Sequence, residues 1–401
     1  DITYLSRADG FANYAEATAA PDSYEMSADA KAGFYNKNNY LTAEATAADE
    51  DPGAAAVTTG AKNSLLLKDM RGVAYDDAKW NDFMDQLTLD DMNALISLGG
   101  YQTNSVDSIG KVRTNDNDGP ASINNNFTGV GSVGFPAGVM IAATWSKDLA
   151  LEFGRSIGKM ADEMNTSGWY APAMNIHRTS FAGRNFEYYS EDGYLSGAMA
   201  SNAVAGAKEH GVYSYMKHFA LNDQEGNRCD MICTWSTEQA IREIYLKPFE
   251  MCVKDAGCEA VMSSFNYIGN RWAGGTAALC KTVLRDEWGF QGFVETDYFG
   301  VYGYMSADQA IRNGTDLMLV AYQTETNNVR FRETIGAQEA MREAAHNILF
   351  VTVNSRAYTE ENYAKATATP VWRTILIVVD VIAVAVLAAL EFLILKGYKK
   401  R

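Results

Sequence analysis

Val212-Tyr-Ser-Tyr-Met216 runs directly into Lys217-His218-Phe219. A short run of strand-forming residues ends in two polar groups capable of chemistry. The layout recurs where Ala260-Val-Met-Ser-Ser264 meets Phe265-Asn266-Tyr267, and where Gly292-Phe-Val294 meets Glu295-Thr296-Asp297-Tyr298. Helical stretches separate these runs, a pattern that predicts βα units and a parallel sheet. Catalytic groups gathered at the C-terminal ends of several strands are how a (β/α)8 barrel builds its active site. The expectation is therefore an α/β enzyme with a TIM-type barrel.

Working outward, strands are expected at residues 139–143, 169–174, 212–216, 260–264, 292–295 and 316–320. Helices are expected at 149–164, 193–210, 237–255 and 276–288, with a closing helix at 340–354. This spacing fits a barrel with decorated loops; an open doubly wound sheet is the alternative. The barrel is assigned to residues 76–355. Residues 1–75 are rich in Ala, Asp, Asn and Thr, with a surface excursion expected over 43–59. Short strands are expected at 65–67 and 70–73. Ile2-Thr-Tyr-Leu-Ser6 reads as a buried strand, and the chain begins with Asp1, so further sequence upstream is expected.

Composition narrows the function. The 401-residue chain is 47% hydrophobic, enough for a sizeable core, and carries a net charge of −16. Such a chain has no basic footprint for nucleic acid. Seven Trp and 22 Tyr supply core aromatics and possible stacking platforms for sugars. Cys229, Cys233, Cys252, Cys258 and Cys280 form no CxxC pair and are expected as free thiols. The four His (His177, His210, His218, His346) lack metal-binding spacing, so neither metal nor cofactor is expected. Gly129-Val-Gly131-Ser-Val-Gly134 matches GxGxxG, but it follows a polar Asn run and precedes Phe135-Pro136. A loop is expected there, not a dinucleotide site.

Residues 374–395 form a 22-residue apolar stretch interrupted by Asp380 and Glu391. An acid at the bilayer centre costs about 2.5–3.5 kcal/mol, while 15 Leu, Ile, Val and Phe residues return roughly 5–9 kcal/mol. A transmembrane helix is expected at 371–396, after a linker at 356–370. The basic tail 397–401 places the C-terminus in the cytoplasm and the barrel outside a cell membrane. Asp380 either pairs with another helix or is tolerated in a single span.

The chemistry-bearing residues near the strand ends are Asp118, Arg184, Glu187, Lys217, His218, Asn266 and Asp297. A carboxylate flanked by Lys, Arg and His is expected to stay ionised. At a strand end it can attack an oxocarbenium-like centre. Taken singly, each residue also fits a structural ion pair.

The ordered series Asp118-Gly-Pro120, Gly183-Arg-Asn-Phe-Glu187 with Ser190-Glu-Asp192, Lys217-His-Phe219, Asn222-Asp-Gln-Glu225 with Arg228, Met262-Ser-Ser-Phe-Asn266, and Gly292-Phe-Val-Glu-Thr-Asp297 resembles glycoside hydrolase family 3 over residues 80–350. The resemblance implies that Asp297 is the nucleophile. Asp118, Arg184, Lys217, His218, Met262 and Tyr267 would hold the sugar, with Glu187 and Asp192 supporting. It implies retaining, exo-acting hydrolysis of an oligosaccharide or other glycoside, releasing β-D-glucose, with the two catalytic carboxyls about 5–5.5 Å apart. The segment around Lys217-His218 resembles the β-glucosidase branch; the His-containing motif of the N-acetylglucosamine branch is not apparent.

Two departures qualify the resemblance. The family commonly places an α/β sandwich after the barrel, whereas here an apolar span follows. Ile2-Thr-Tyr-Leu-Ser-Arg7 resembles a sandwich strand, so the chain resembles the rear of a circularly permuted member, with 1–75 a sandwich remnant. The general acid normally comes from that sandwich; Glu16 is the candidate here, with Glu25 and Glu44 weaker, or the acid lies upstream or is absent. A non-catalytic, membrane-anchored sugar-binding relic and a β-xyloside-type specificity are the alternative readings.

Overall fold

The computed structural model describes residues 2–34, 55–300 and 302–399. It divides into two units, Asp1–Tyr358 and Thr359–Arg401. In the first, five short strands form one parallel sheet: β1 (Asp116–Asn117), β4 (Gly168–Trp169), β5 (Tyr213–Phe219), β7 (Ala260–Ser263) and β10 (Phe293–Glu295), in the order β1-β4-β5-β7-β10. Asp116 lies opposite Gly168, Gly168 opposite Tyr213, Tyr215 opposite Ala260, and Ala260 opposite Phe293. All seven residues of β5 are buried, as expected of a strand covered on both faces.

Backbone hydrogen bonds extend this sheet at both edges. Glu295 bridges in parallel to Leu317. The Met318 N–H donates to Ile96 O at 2.8 Å, and the Gly99 N–H to Met318 O at 2.8 Å. Beside β1, the Asp116 N–H donates to Tyr101 O at 3.0 Å. The remaining strands are peripheral. The hairpin β2 (Asn124–Asn125) and β3 (Val130–Gly131) takes in the first half of the GxGxxG stretch, whose remainder is coil, and β6 (Cys233–Thr234), β8 (Tyr267–Ile268) and β9 (Arg271–Trp272) form a small sheet.

The helices follow their apolar periodicity. In Lys147–Met164 the buried residues Ala150, Phe153, Gly154, Ile157, Gly158 and Ala161 recur at helical spacing. Ser146 Oγ accepts from the Leu149 N–H at the start, and Asn165 ends the helix in the left-handed region. This helix packs on Gly193–Lys208, which is capped by Asp192. The contact is close because Gly154 faces the Ala203 carbonyl and Gly206 faces the Leu151 carbonyl.

Several expectations are corrected. Residues 139–143 are not a strand; Gly138–Ala143 is a helix just after Pro136, burying Gly138, Ile141 and Ala142 at three- and four-residue spacing. Residues 65–73 contain no strand pairing; Leu67–Met70 is a 3-10 turn that buries its two ends. Ile2–Ser6 joins no strand among the described residues, and Tyr4 is half exposed. The expected linker is structured. Arg356 is buried and donates to Thr166 O at 3.0 Å, and Glu360–Thr367 is a helix. Residues 43–54 of the expected excursion, Glu44 among them, lie outside the described residues; 55–59 are surface coil. All five cysteines are free, as expected.

The second unit contains Glu360–Thr367 and the 28-residue helix Val371–Tyr398, which begins after Pro370. By length and composition it can cross a bilayer.

The Gly154–Ala203 approach generates a prediction. Alanine normally improves a helix interior by about 1 kcal/mol over glycine. Here a Cβ would be driven into the Ala203 carbonyl oxygen. Gly154→Ala is expected to destabilise the fold by about 1–3 kcal/mol, read as a lower denaturation midpoint at unchanged slope. An equal or higher midpoint would contradict the packing described.

Candidate active site

The parallel sheet delivers its polar residues to one end. Asp297 follows β10 by two residues, and its N–H donates to Ser263 O at the end of β7, at 3.0 Å. The side chain is 8% exposed. Its Oδ1 accepts from the Tyr298 N–H at 2.7 Å, while Oδ2 accepts from Arg228 Nη1 at 3.3 Å and lies 3.5 Å from His218 Nε2. These groups fix the carboxylate at the floor of a cavity of about 530 Å³.

Lys217 and His218 are consecutive on β5, and both are buried. Lys217 Nζ donates to Asp118 Oδ1 at 2.8 Å. Asp118 follows β1 and is tied to the hairpin by two backbone bonds with Asn124, of 2.8 and 2.7 Å. Gly119 takes φ 104°, and a side chain there would strike Ser122, so the turn that exposes Asp118 requires glycine. His218 Nε2 accepts from Arg184 Nη1 at 3.2 Å, and its Nδ1 lies 3.3 Å from the Tyr188 hydroxyl.

The cations are held by carboxylates behind them. Glu187 Oε2 accepts from Arg184 Nε at 2.6 Å. Glu225 reaches both guanidiniums, with Oε1 3.7 Å from Arg184 Nη1 and Oε2 3.0 Å from Arg228 Nε. Arg228 also lies over the Phe265 ring at 4.7 Å.

The electrostatics partly overturn the sequence expectation. Burial pushes the Asp297 carboxyl above its ordinary value, and Arg228, the Tyr298 N–H, Arg184 and Lys217 offset this only in part. His218 adds no positive charge. Burial, then Arg184, Lys217 and Arg228, hold it well below the usual imidazole range, so it is neutral. Asp118 behaves as expected. Burial acts to raise it, but the charge and hydrogen bond of Lys217 bring it below the ordinary carboxylate value; its side chain is 36% exposed toward the cavity.

Of the sequence-derived candidates, Asp297, Asp118, Arg184, Lys217, His218 and Met262 line this one cavity. Glu187 supports Arg184 from behind. Asp192 instead caps a helix, its Oδ1 accepting from the Leu195 N–H at 2.8 Å. Tyr267 is corrected. It sits on β8, buried against Phe34 and Tyr304, and does not line the cavity. Asn266 is turned away too, its amide donating to Ala220 O at 3.1 Å. Glu16 is exposed on the short helix Tyr14–Ala17, and Glu25 is also exposed; neither lines the cavity.

The sequence reading missed several lining residues. Arg228 and Glu225 stand three apart with opposite charge, and that spacing is the signal that could have found them. Tyr298 follows the nucleophile candidate directly. Tyr101, Asn126, Phe127 and Tyr170 come from loops and a strand end that carry no periodic signal.

The model for the glycosyl hydrolase family 3 N terminal domain matches residues 123–348, and the chain belongs to glycosyl hydrolase family 3. Beta-glucosidase A of Butyrivibrio fibrisolvens is 37% identical over 229 residues, 55% of this chain and 27% of that protein. Beta-glucosidase of Rhizobium radiobacter is 37% identical over 241 residues, 59% of this chain and 29% of that protein. Among solved structures, beta-glucosidase 3B from Thermotoga neapolitana in complex with alpha-D-glucose superposes with a TM-score of 0.64 at 35% identity, covering 71% of this chain and 44% of that one. The match thus spans 27–29% of the length of these curated relatives.

Glu295 lies beneath this site, two residues before Asp297. It is 0% exposed, and neither carboxyl oxygen has a hydrogen-bond partner among the described residues. The Tyr170 hydroxyl is near enough to ease its charge, but donates to Gly99 O at 3.2 Å. Burial first, then Asp116 and Asp297, push the Glu295 carboxyl well above its ordinary value. A raised folded-state pKa contributes stability that is complete below the unfolded value of about 4.3 and is lost as pH rises toward the folded value. Glu295→Gln removes this titration. Its unfolding free energy, from denaturation at several pH values, is expected to exceed the parent's by a margin that widens above pH ~4.3, with a slope of at most about 1.4 kcal/mol per pH unit. A margin independent of pH would show that Glu295 is not held neutral.

Proposed function

We propose that this chain is the catalytic portion of a membrane-tethered, extracellular β-glucosidase that releases terminal β-D-glucose with retention of configuration. The observation that carries this reading is Asp297, fixed at the floor of the cavity between Arg228 and the Tyr298 N–H. Its carboxylate attacks the anomeric carbon as the bond to the aglycone oxygen breaks, and the departing oxyanion takes its proton from water. Water then cleaves the glycosyl–Asp297 ester. Asp118 and Lys217 hold the sugar hydroxyls from one wall, Arg184 and His218 from another. Family membership and the names of the relatives support glucose as the sugar.

The backbone bonds that run from β10 through 316–320 and 96–103 back to β1 support a (β/α)8 barrel. The helix Val371–Tyr398 would measure about 42 Å, against an apolar core of about 30 Å. Lys396 and the basic residues after it support a cytoplasmic C-terminus.

One observation favours the second reading, a sugar-binding relic. Among the described residues, the other two carboxylates lining the cavity are committed to cations, Asp118 to Lys217 and Glu225 to two guanidiniums. Neither is placed to donate a proton to the leaving group.

A 2-fluoro-glucoside with a dinitrophenolate leaving group separates the readings, because such a leaving group needs little acid assistance. Peptide mass spectrometry is expected to find the glucosyl adduct on Asp297. No adduct on a folded sample, with a matching 2-fluoro-xyloside also silent, would overturn the catalytic reading; a xylosyl adduct alone would change the sugar. Asp297→Asn is expected to lower turnover of aryl glucosides by roughly four orders of magnitude. Retained turnover would remove Asp297 from its role.

A further inference from the structure

A second cavity, of about 540 Å³, opens on the other side of the turn at residues 222–225. Glu225 faces the catalytic cavity, whereas Asp223 and Gln224 line the second one. Arg184 and Arg178 divide in the same way. Residues 17–24 and 232–237 complete its walls.

The rim carries an aromatic corner. Tyr24 and Trp235 meet edge to face with centroids 6.0 Å apart, and Trp235 is 51% exposed. Two ring faces at an angle offer an apolar surface to a ligand that stacks. At the base, Asp223 is 5% exposed. Its Oδ2 lies 3.5 Å from Arg178 Nε, and its Oδ1 has no hydrogen-bond partner among the described residues. Burial pushes the Asp223 carboxyl up to about 6, with Arg178 acting in the opposite direction. A buried carboxyl oxygen normally has a partner, so this one marks a place for a donor from a ligand or a water.

Among the described residues, Arg178 and Asp223 are the only charged side chains lining this cavity. They oppose each other, so the pocket offers a charged ligand no net attraction. It offers instead aromatic faces, an amide, hydroxyls and an ion pair whose members both hydrogen-bond. A pyranose, with an apolar C–H face and a rim of hydroxyls, matches each of these. The volume lies within the range of about 300–1,000 Å³ usual for small-molecule sites.

We infer that this cavity is a second carbohydrate site, for a neutral oligosaccharide, with Trp235 as its stacking platform and the Arg178–Asp223 pair as its polar anchor. It stands apart from the chemistry of Asp297. Binding here would hold a glycan beside the catalytic cavity and raise the local concentration of chain ends.

The test is calorimetric titration of the Asp297→Asn chain with cellobiose, which that variant is expected to turn over too slowly to disturb the isotherm. Two binding events per chain are expected. Adding Trp235→Ala, at a half-exposed position that the fold tolerates, should weaken one of them about tenfold or more and leave the other. Adding Asp118→Ala should do the reverse. Arg178→Ala, also at the surface, serves as a second probe and should act as Trp235→Ala does. No binding event, or an isotherm indifferent to both Trp235→Ala and Arg178→Ala, overturns the inference. Failure of the catalytic reading appears separately, as no adduct on Asp297, with the Trp235-dependent event intact.

Discussion

Charge buried at the end of a parallel sheet must be matched charge for charge, and the active cavity is arranged around that constraint. A carboxylate or guanidinium removed from water without a partner costs several kcal/mol. Here Glu187, Arg184, Glu225, Arg228 and Asp297 alternate in sign along one continuous path, and Lys217 and Asp118 form a second, shorter one. The guanidiniums gain further support from rings, Arg228 from Phe265 and Arg184 from Tyr188 at 5.6 Å. Each member is held by its neighbours, so the positions of the charged atoms are set collectively.

This arrangement has a direct bearing on reactivity. A nucleophilic carboxylate needs to be both ionised and directed. Burial pushes the Asp297 carboxyl toward its protonated form, and Arg228 works against that tendency while gripping one oxygen. Neutral His218 contributes shape and a hydrogen-bonding nitrogen without adding charge. Glu225 links the two guanidinium arms, so Arg184 on the cavity wall and Arg228 beside Asp297 share one support.

The strand ends were readable because the sequence marks them twice, by an apolar run and by the polar residues that terminate it. This is why Lys217, His218 and Asp297 were found together. The loop residues were not readable by the same means. Tyr101 and Phe127 reach the cavity through turns whose course depends on the hairpin and on Gly119, and no local period announces that. Tyr267 failed because the chain turns after β7 and enters β8, where the alternation restarts on a different sheet. Residues 139–143 failed because five apolar residues fit either period; one-sided burial is visible only once the helix is packed. The neutrality of His218 is not legible in the sequence, because burial depth is not written in composition.

The hairpin β2–β3 has an implication for how such a site can diversify. Asp118 is tied to it through main-chain atoms of Asn124, so the bonds that fix this carboxylate are indifferent to side-chain identity along the turn. The tip, by contrast, projects Phe127 to the cavity mouth, edge-on to Tyr101 at 5.1 Å. Mutation can therefore reshape the entrance while the floor keeps its geometry. The mouth of the cavity could vary through the tip residues while Asp118 stays bonded to Lys217 at its base.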